Sequence, residues 1–238
     1  IKEIKEKGKL IIPCKDEEEL MFKFLDKWEE LDPTIVIGWN SEFFDIPYLY
    51  YRMCKIIGTK QAERLSPIRK INIQDWNPKE VSVRIGGINH LDYMLLKKKY
   101  EYKQEPSYKL GNIGERYVKM GKIEYEGNLN QLFKNDINKF IDYNLRDVEI
   151  LEALEDKFKY IELTILISHI CNTPYEQIHY NTVLGEGAIL KYLKRQGIVS
   201  PNKPTTHNPS RKIKEETYAG GYLLEPIPGL YSDVIDLD

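Results

Sequence analysis

The segment IVIGWNSEFFDIPYLYYRM, residues 35–53, sets an apolar run directly before Trp39, Asn40 and a lone acid, Asp45. The apolar run predicts a buried strand, and Pro47 with the residues after it predicts the first turn of a helix. Asp45 therefore stands at the carboxyl end of a strand, the edge where open α/β sheets place their sites. Two interpretations are open at this point: Asp45 is the N-cap of the helix, or it is a ligand for a metal ion.

Strands and helices alternate on both sides of this segment. KLIIPC predicts a short strand, DEEELMFKFLDKWEEL a helix with Asp16 as its N-cap, and TIVIGWN a fully buried strand. KINIQ and VSVRI predict a β-hairpin around the loop DWNPKE, NHLDYMLLKKKY a strand or turn that runs into a basic helix, and KLGNIGERYVKM a short helix. Residues 137–170 form one long helical pattern, and residues 200–212 predict a loop or linker. This order of elements indicates the α/β class.

The composition narrows the classes of protein that fit. The chain has 238 residues with 42% hydrophobic content, enough for a sizeable core. Its 35 basic and 37 acidic residues give a formal net charge of −2, so any contact with nucleic acid has to come from local patches. Three distant cysteines, Cys14, Cys54 and Cys171, favour a reducing compartment, here the cytoplasm, and no apolar run is long enough to span a membrane.

The two ends of the chain predict an internal piece of a longer protein. IKEIKEKGKL has neither an initiating Met nor the pattern of a signal peptide. YSDVIDLD stops inside an alternating, strand-like pattern with no closing turn. We therefore expect further residues before Ile1 and after Asp238.

A second candidate acid lies in the segment YNLRD. Tyr143 and Asp147 are four residues apart, so on a helix they share one face, a turn apart. Such a pair suits a site in which the carboxylate holds a cation while the hydroxyl orients a water molecule. The spacing alone favours a solvated helix face, so only its combination with Asp45 makes a candidate site.

Four stretches, in order along the chain, resemble motifs of the family B DNA polymerases. GWNSEFFDIPYL resembles the second exonuclease motif of this family and YNLRD the third, with a hairpin and a Leu-Asp-Tyr segment between them. YAGGYLLEPIPGLYSDVIDLD is similar to the Tyr-x-Gly-Gly motif and the approach to the first polymerase aspartate. PTIVIGWNSEFFDIPYLYYRM and GKIEYEGNLNQLF resemble the T-even phage type in particular. Together the four matches cover nearly the whole chain.

The resemblance implies an RNase H-like 3′→5′ exonuclease domain, in which helices flank a mixed sheet with a β-hairpin insertion. We expect this domain, truncated at its N-terminus, over residues 1–158. A helical segment over 159–209 resembles the part of the family that returns to the N-terminal domain, and 210–238 resemble the start of the polymerase palm. The hairpin is expected to help separate a frayed primer end, with Trp76 against a base. The alternative is a hairpin that only completes a sheet.

The resemblance also implies a proofreading site with two Mg²⁺ or Mn²⁺ ions. Two hard cations about 3.5–4 Å apart activate a water and stabilise the leaving oxygen, and they need carboxylates from separate elements. By motif, Asp45 binds one cation and Asp147 the other, while Tyr143 orients the water or the phosphate. Lys122 is expected to contact phosphate or water, with a solvated surface lysine as the alternative.

Further binding residues are implied in two parts of the chain. Asn40 and Phe44 are implied to shape the pocket for the terminal nucleotide, with ordinary packing as the alternative. In the Tyr-x-Gly-Gly motif, Tyr218, Gly220 and Gly221 are implied to approach a DNA phosphate. Asp238 stands where the family has its first polymerase metal ligand, and Asp236 is the alternative if the register differs.

The first exonuclease motif of the family, Asp-x-Glu on a strand, has no convincing copy in this chain. The letters match at Asp16 and Asp147, but the first opens a predicted helix and the second lies inside one. We expect this motif upstream of Ile1 in the parent protein. The 238-residue piece is then expected to hydrolyse DNA very slowly or not at all, although the parent proofreads.

The function expected from this resemblance is that of a fragment of a replicative DNA-directed DNA polymerase. Its implied partners are DNA, as a single-stranded or primer-template 3′ end, and deoxynucleotides in the parent. A sliding clamp is implied as a further partner of the parent, bound through regions outside this chain. No membrane is implied as a partner. Two other functions stay open: a stand-alone 3′→5′ exonuclease of the same fold, and a non-catalytic DNA-binding module. In the last, Asp45 is an N-cap and Asp147 a surface group, so convergence of the two carboxylates across one cleft favours the metal site.

Overall fold

The computed structural model describes residues 4–6, 9–77, 80–201 and 228–232, with the side chains of 10–74, 81–201 and 228–232. The chain divides into two compact units, Ile1–Gly197 and Ile198–Asp238. The described residues of the second unit, 198–201 and 228–232, have irregular backbone. Among the described residues, no helix combines the length and apolar character that crossing a bilayer requires.

Among the described residues of the first unit, six strands pair as three two-stranded sheets. They are β1 (Ile4–Glu6), β2 (Lys9–Ile11), β3 (Ile35–Gly38), β4 (Ile71–Asn77), β5 (Glu80–Ile85) and β6 (Asn89–Asp92). β1 pairs with β2 and β4 with β5 in antiparallel fashion, whereas β3 and β6 are parallel. Both kinds of pairing in the expected mixed sheet are therefore present, but the described strands do not join into one continuous sheet.

The helices account for most of the remaining described residues of this unit. They are α1 (Glu17–Leu31), α2 (Asp45–Ile57), α3 (Thr59–Ala62), α4 (Tyr93–Tyr100), α5 (Leu110–Val118), α6 (Leu129–Asn135), α7 (Ile137–Phe158), α8 (Tyr160–Cys171) and α9 (Asn181–Arg195). The alternation of strands and helices confirms the α/β class.

Local sequence signals account for several of these boundaries. The Asp16 side chain accepts a 2.9 Å hydrogen bond from the backbone N–H of Glu19, which confirms it as the N-cap of α1. The hairpin is confirmed as well, but β4 continues to Asn77 and β5 begins at Glu80, so the predicted loop DWNPKE was too long. The antiparallel pairing continues into that segment with a register shift between Asp75 and Asn77.

The long helical pattern over residues 137–170 is two helices. Lys159 separates α7 from α8 in the left-handed conformation, with φ 56°, and its backbone N–H donates to the carbonyl of Glu155. A non-glycine residue in this conformation closes a helix without the sequence signal that glycine would supply. Leu154 before the break and Tyr160 after it share one core, so the chain on both sides of the predicted boundary at residue 158 packs together.

The parallel pair β3–β6 lies between two apolar cores. Val36 packs into the core built largely by α1, α2 and the hairpin, whereas Ile35 and Ile37 pack into the core of α4, α5, α7 and α8. Alternate residues of a strand point to opposite faces, so β3 contributes to both cores. Its four residues are only partly buried, which corrects the prediction of a fully buried strand. Gly38 pairs with Asp92, so α2 and α4 both begin beside the carboxyl end of this pair.

Candidate functional site

Asp45 is the first residue of α2 and follows the turn that leaves β3. The N-cap residue of this helix is Phe44, and no side chain caps it. The interpretation of Asp45 as a helix N-cap is therefore wrong. Asp45 is an exposed residue beside the carboxyl end of the β3–β6 pair, and its role as a metal ligand stays a prediction.

Asp92 fixes the turn that carries this carboxylate. It lies at the end of β6, is 2% exposed, and caps α4 by accepting from the backbone N–H groups of Met94 and Leu95 at 3.0 and 3.2 Å. Its two carboxylate oxygens also accept from the backbone N–H groups of Asn40, at 3.2 Å, and Glu42, at 3.1 Å. Four backbone donors hold this buried carboxylate, so Asp92 joins the start of α4 to the turn between β3 and α2.

Asp147, Tyr143 and Lys122 form the second part of the site. The ammonium group of Lys122 donates to Asp147 Oδ2 at 2.8 Å and to the Tyr143 hydroxyl at 3.2 Å. Burial lowers the pKa of Lys122, but these two hydrogen bonds outweigh that effect and the net shift is upward. Lys122 is an exposed residue, so its role in the site and the alternative of a solvated surface lysine both stay predictions.

The two acids line one cleft. Asp45 comes from the start of α2 and Asp147 from the middle of α7, and both lie on the wall of a cleft of about 1260 Å³. Asn40, Phe44 and Lys122 line the same cleft. The structure thus brings together two carboxylates that are about a hundred residues apart in the sequence.

One oxygen of Asp147 fits a cation. Oδ2 is held by Lys122, but Oδ1 is buried and has no hydrogen-bond partner in the part of the chain that the structure describes. A buried carboxylate oxygen without a donor is unfavourable unless a cation or water satisfies it. Among the described residues no three His, Cys, Asp or Glu side chains group closely enough to hold a metal ion. Of the acids that line the cleft, Asp45 and Asp147 are the two that the motifs select as ligands.

The pKa of Asp45 is raised. Partial burial is the main cause, a hydrogen bond from the backbone N–H of Asp45 itself offsets part of it, and Asp92 adds a like charge nearby. A carboxyl group whose pKa is higher in the folded than in the unfolded chain stabilises the fold while it is protonated. That contribution is lost as the pH rises through the raised pKa.

Replacing Asp45 by asparagine therefore has an effect on stability that depends on pH. The melting temperature of Asp45→Asn minus that of the wild type is expected to increase as the pH rises from about 3 to 7, since the ionised carboxylate is the disfavoured form. Thermal unfolding across this range measures it, and Asp142→Asn, at an exposed position of α7, is the matched control. A difference that instead decreases with pH would show that ionised Asp45 stabilises the fold.

Three residues next to the site were missed by sequence reasoning: Ser41, His90 and Asp92. Asp92 had a usable signal, because an acid between a strand and a helix is a typical N-cap. Ser41 and His90 had none, since their contact joins positions 49 residues apart.

Several predicted residues lie outside the described residues. They are Tyr218, Gly220, Gly221, Asp236, Asp238 and the side chain of Trp76. Their roles in DNA binding, metal binding and strand separation stay predictions.

The comparisons with known proteins point to one family. The model of the exonuclease domain of DNA polymerase family B matches residues 1–113. The chain is 31% identical over 233 residues to the DNA-directed DNA polymerase of Escherichia phage RB69, covering 96% of this chain and 25% of that protein. It is 28% identical over 222 residues to that of Enterobacteria phage T4, covering 92% of this chain and 24% of the T4 protein. A DNA polymerase of Pyrococcus glycovorans is 25% identical over 234 residues. The chain spans about a quarter of the length of these relatives.

Proposed function

We propose that this chain, whose residues 1–113 match the model of the family B DNA polymerase exonuclease domain, is the 3′→5′ proofreading part of a replicative DNA polymerase. The observation that carries the proposal is the cleft shared by Asp45 and Asp147, with a buried, unpartnered oxygen on Asp147. An RNase H-like fold, a palm that starts near residue 210, and a place in the cytoplasm of an infected host belong to the same proposal.

Asp45 and Asp147 are the proposed ligands of Mg²⁺ or Mn²⁺, two ions in the complete site. When bound, such ions activate a water and stabilise the leaving oxygen of a phosphodiester. Carboxylates suit these hard cations, and the two acids approach the cleft from separate helices. In this proposal Tyr143 orients the water or phosphate through its hydroxyl, and the ammonium group of Lys122, which contacts both Tyr143 and Asp147, balances negative charge.

Phe44 is the proposed platform for the terminal base. Its side chain is 63% exposed at the cleft and stacks on exposed Tyr48, with the ring centroids 6.4 Å apart and the planes 13° apart. An exposed, supported ring of this kind stacks on a base whatever its sequence. Asn40, in the same turn, is proposed to contact the terminal nucleotide.

Binding of a 3′ end tests the proposal. A single-stranded oligonucleotide with 2-aminopurine as its last base is expected to bind the chain and to be quenched. Phe44→Ala is expected to weaken that binding about tenfold, because base stacking contributes about 1–3 kcal/mol. Phe133→Ala removes a ring outside the cleft that is 54% exposed and is the control. Equal binding by the two variants would contradict the proposed role. Equal quenching of an oligonucleotide that carries the 2-aminopurine at its 5′ end would contradict it as well.

Hydrolysis is expected to be slow in the chain alone. The Asp-x-Glu letters at Asp16 and Asp147 fall at the start of α1 and inside α7, so neither lies on a strand. Two carboxylates hold a pair of cations less well than three. Release of 3′ nucleotides from single-stranded DNA with Mg²⁺ measures the rate. Rapid release that Asp147→Ala abolishes would show that these two acids suffice.

A further inference from the structure

His90 links the turn beneath Asp45 to the neighbouring strand. It lies on β6 with its side chain 9% exposed. Its Nε2 is 2.8 Å from the Ser41 hydroxyl and its Nδ1 is 2.9 Å from Glu42 Oε2. Ser41 and Glu42 are consecutive residues of the turn between β3 and α2, so one imidazole ring holds two adjacent side chains.

The chemistry of the partners fixes the roles of the two ring nitrogens. The Glu42 carboxylate only accepts, so Nδ1 carries a hydrogen and donates it. In the neutral ring Nε2 then accepts from the Ser41 hydroxyl. Burial raises the pKa of Glu42, but hydrogen bonds and charges from its neighbours, led by the hydrogen bond from His90, outweigh it, and the pKa is lowered overall. Both ring nitrogens of His90 therefore have a partner in the turn.

The linkage continues from Ser41 to the helix that bears Asp45. The Ser41 carbonyl accepts from the backbone N–H of Ile46 at 3.1 Å. Ser41 is 3% exposed and packs against Gly38, where a Cβ would lie 2.5 Å from the Ser41 Oγ. The position of Ser41 therefore determines where the first turn of α2 begins, and Asp45 is the first residue of that turn.

We propose that His90 is a positioning residue of the candidate site: by joining Ser41 and Glu42 to strand β6, it fixes the 39–44 turn and thereby the directions of Phe44 and Asp45 in the cleft. This inference rests on the proposed function. The same order of groups occurs in serine hydrolases, but there the hydroxyl faces the substrate, whereas Ser41 is buried against Gly38. His90 acts on the site through the backbone, together with Asp92, which holds the N–H groups of the same turn.

The experiment compares His90→Leu, which removes both hydrogen bonds, with His90→Gln, which keeps a donor and an acceptor. His169→Leu, at a histidine that contacts Tyr175, is the control. Amide hydrogen exchange is measured by NMR at Asn40 in the turn, at Ile46 in the first turn of α2 and at Ile150 in α7. Mn²⁺ affinity is measured by calorimetry on the same full chains.

His90→Leu is expected to speed exchange at Asn40 and Ile46 about tenfold and to leave Ile150 unchanged, because only the turn is released. Its Mn²⁺ affinity is expected to fall about tenfold, as when the partner of a metal ligand is lost. His90→Gln is expected to restore most of both, and His169→Leu to change neither. Ser41→Ala, which breaks one bond of the same network, replaces His90→Leu if that variant does not fold.

Unchanged exchange in the turn, or an equal increase at Ile150, would overturn the role of His90. A wild-type chain that binds no Mn²⁺ would contradict the proposed function instead. In that case the exchange data alone still decide whether His90 holds the turn.

Discussion

Replacing Asp147 by alanine is expected to lower the affinity of the chain for Mn²⁺ by at least about 100-fold, since a carboxylate ligand is lost outright. Its buried Oδ1 has no partner among the described residues, and its Oδ2 is held by Lys122. Among the described residues no three His, Cys, Asp or Glu side chains group closely enough to hold a metal ion, so each carboxylate ligand carries a large share of the affinity. Calorimetric titration with Mn²⁺ measures the loss.

Asp142→Ala is the control for this prediction. Asp142 lies on the same helix, one residue before Tyr143, but it is exposed and does not line the cleft. It removes the same charge, so it reports any general electrostatic effect on cation binding. Equal affinities in the two variants would mean that Asp147 is not a ligand.

Replacing Lys97 by alanine is expected to destabilise the chain by about 3–5 kcal/mol, the usual effect of breaking a buried ion pair. Lys97 is fully buried, and its ammonium group is 2.5 Å from Glu101 Oε1 and 3.9 Å from Glu105. It also lies over the rings of Tyr117, at 4.0 Å, and Phe158, at 4.5 Å. These contacts join α4 to α5 and to the end of α7, the helix that carries Asp147.

Urea unfolding measures this effect, with Lys98→Ala as the control. Lys98 is the next residue of α4 but is exposed, with its ammonium group over the Tyr108 ring at 4.7 Å. Its removal is expected to change stability by about 1 kcal/mol or less, the size of an exposed cation–π contact. If Lys97→Ala were no less stable than Lys98→Ala, the buried charge would contribute nothing to holding α4, α5 and α7 together.

Local signals in the sequence predicted much of the frame around the site. An acid before a helical pattern located the start of α1 at Asp16, and an apolar run followed by Pro47 located the strand, the turn and α2. The spacing of Tyr143 and Asp147 predicted a shared helix face, and Lys122 contacts both side chains. These features depend on residues close together in the chain, which is why the sequence carries them.

Other features depend on contacts between distant residues. Lys159 separates α7 from α8 in the left-handed conformation, but it is not the glycine that usually marks such a helix end in a sequence. The burial of β3 on two faces depends on both cores, so the apolar run overstated it. The link from His90 to Ser41 depends on the parallel pairing of β6 with β3, which places His90 opposite Val36. Such pairings are settled by tertiary packing and leave no local pattern.

Paramagnetic broadening by Mn²⁺ in an NMR spectrum of the chain tests most directly whether Asp45 and Asp147 share one cation site. Substoichiometric Mn²⁺ is expected to broaden the amide signals near Asp45 and near Asp147 together, and Asp45→Asn or Asp147→Asn is expected to weaken the broadening at both positions. Broadening confined to one of the two acids, or left unchanged by both substitutions, would contradict a common site.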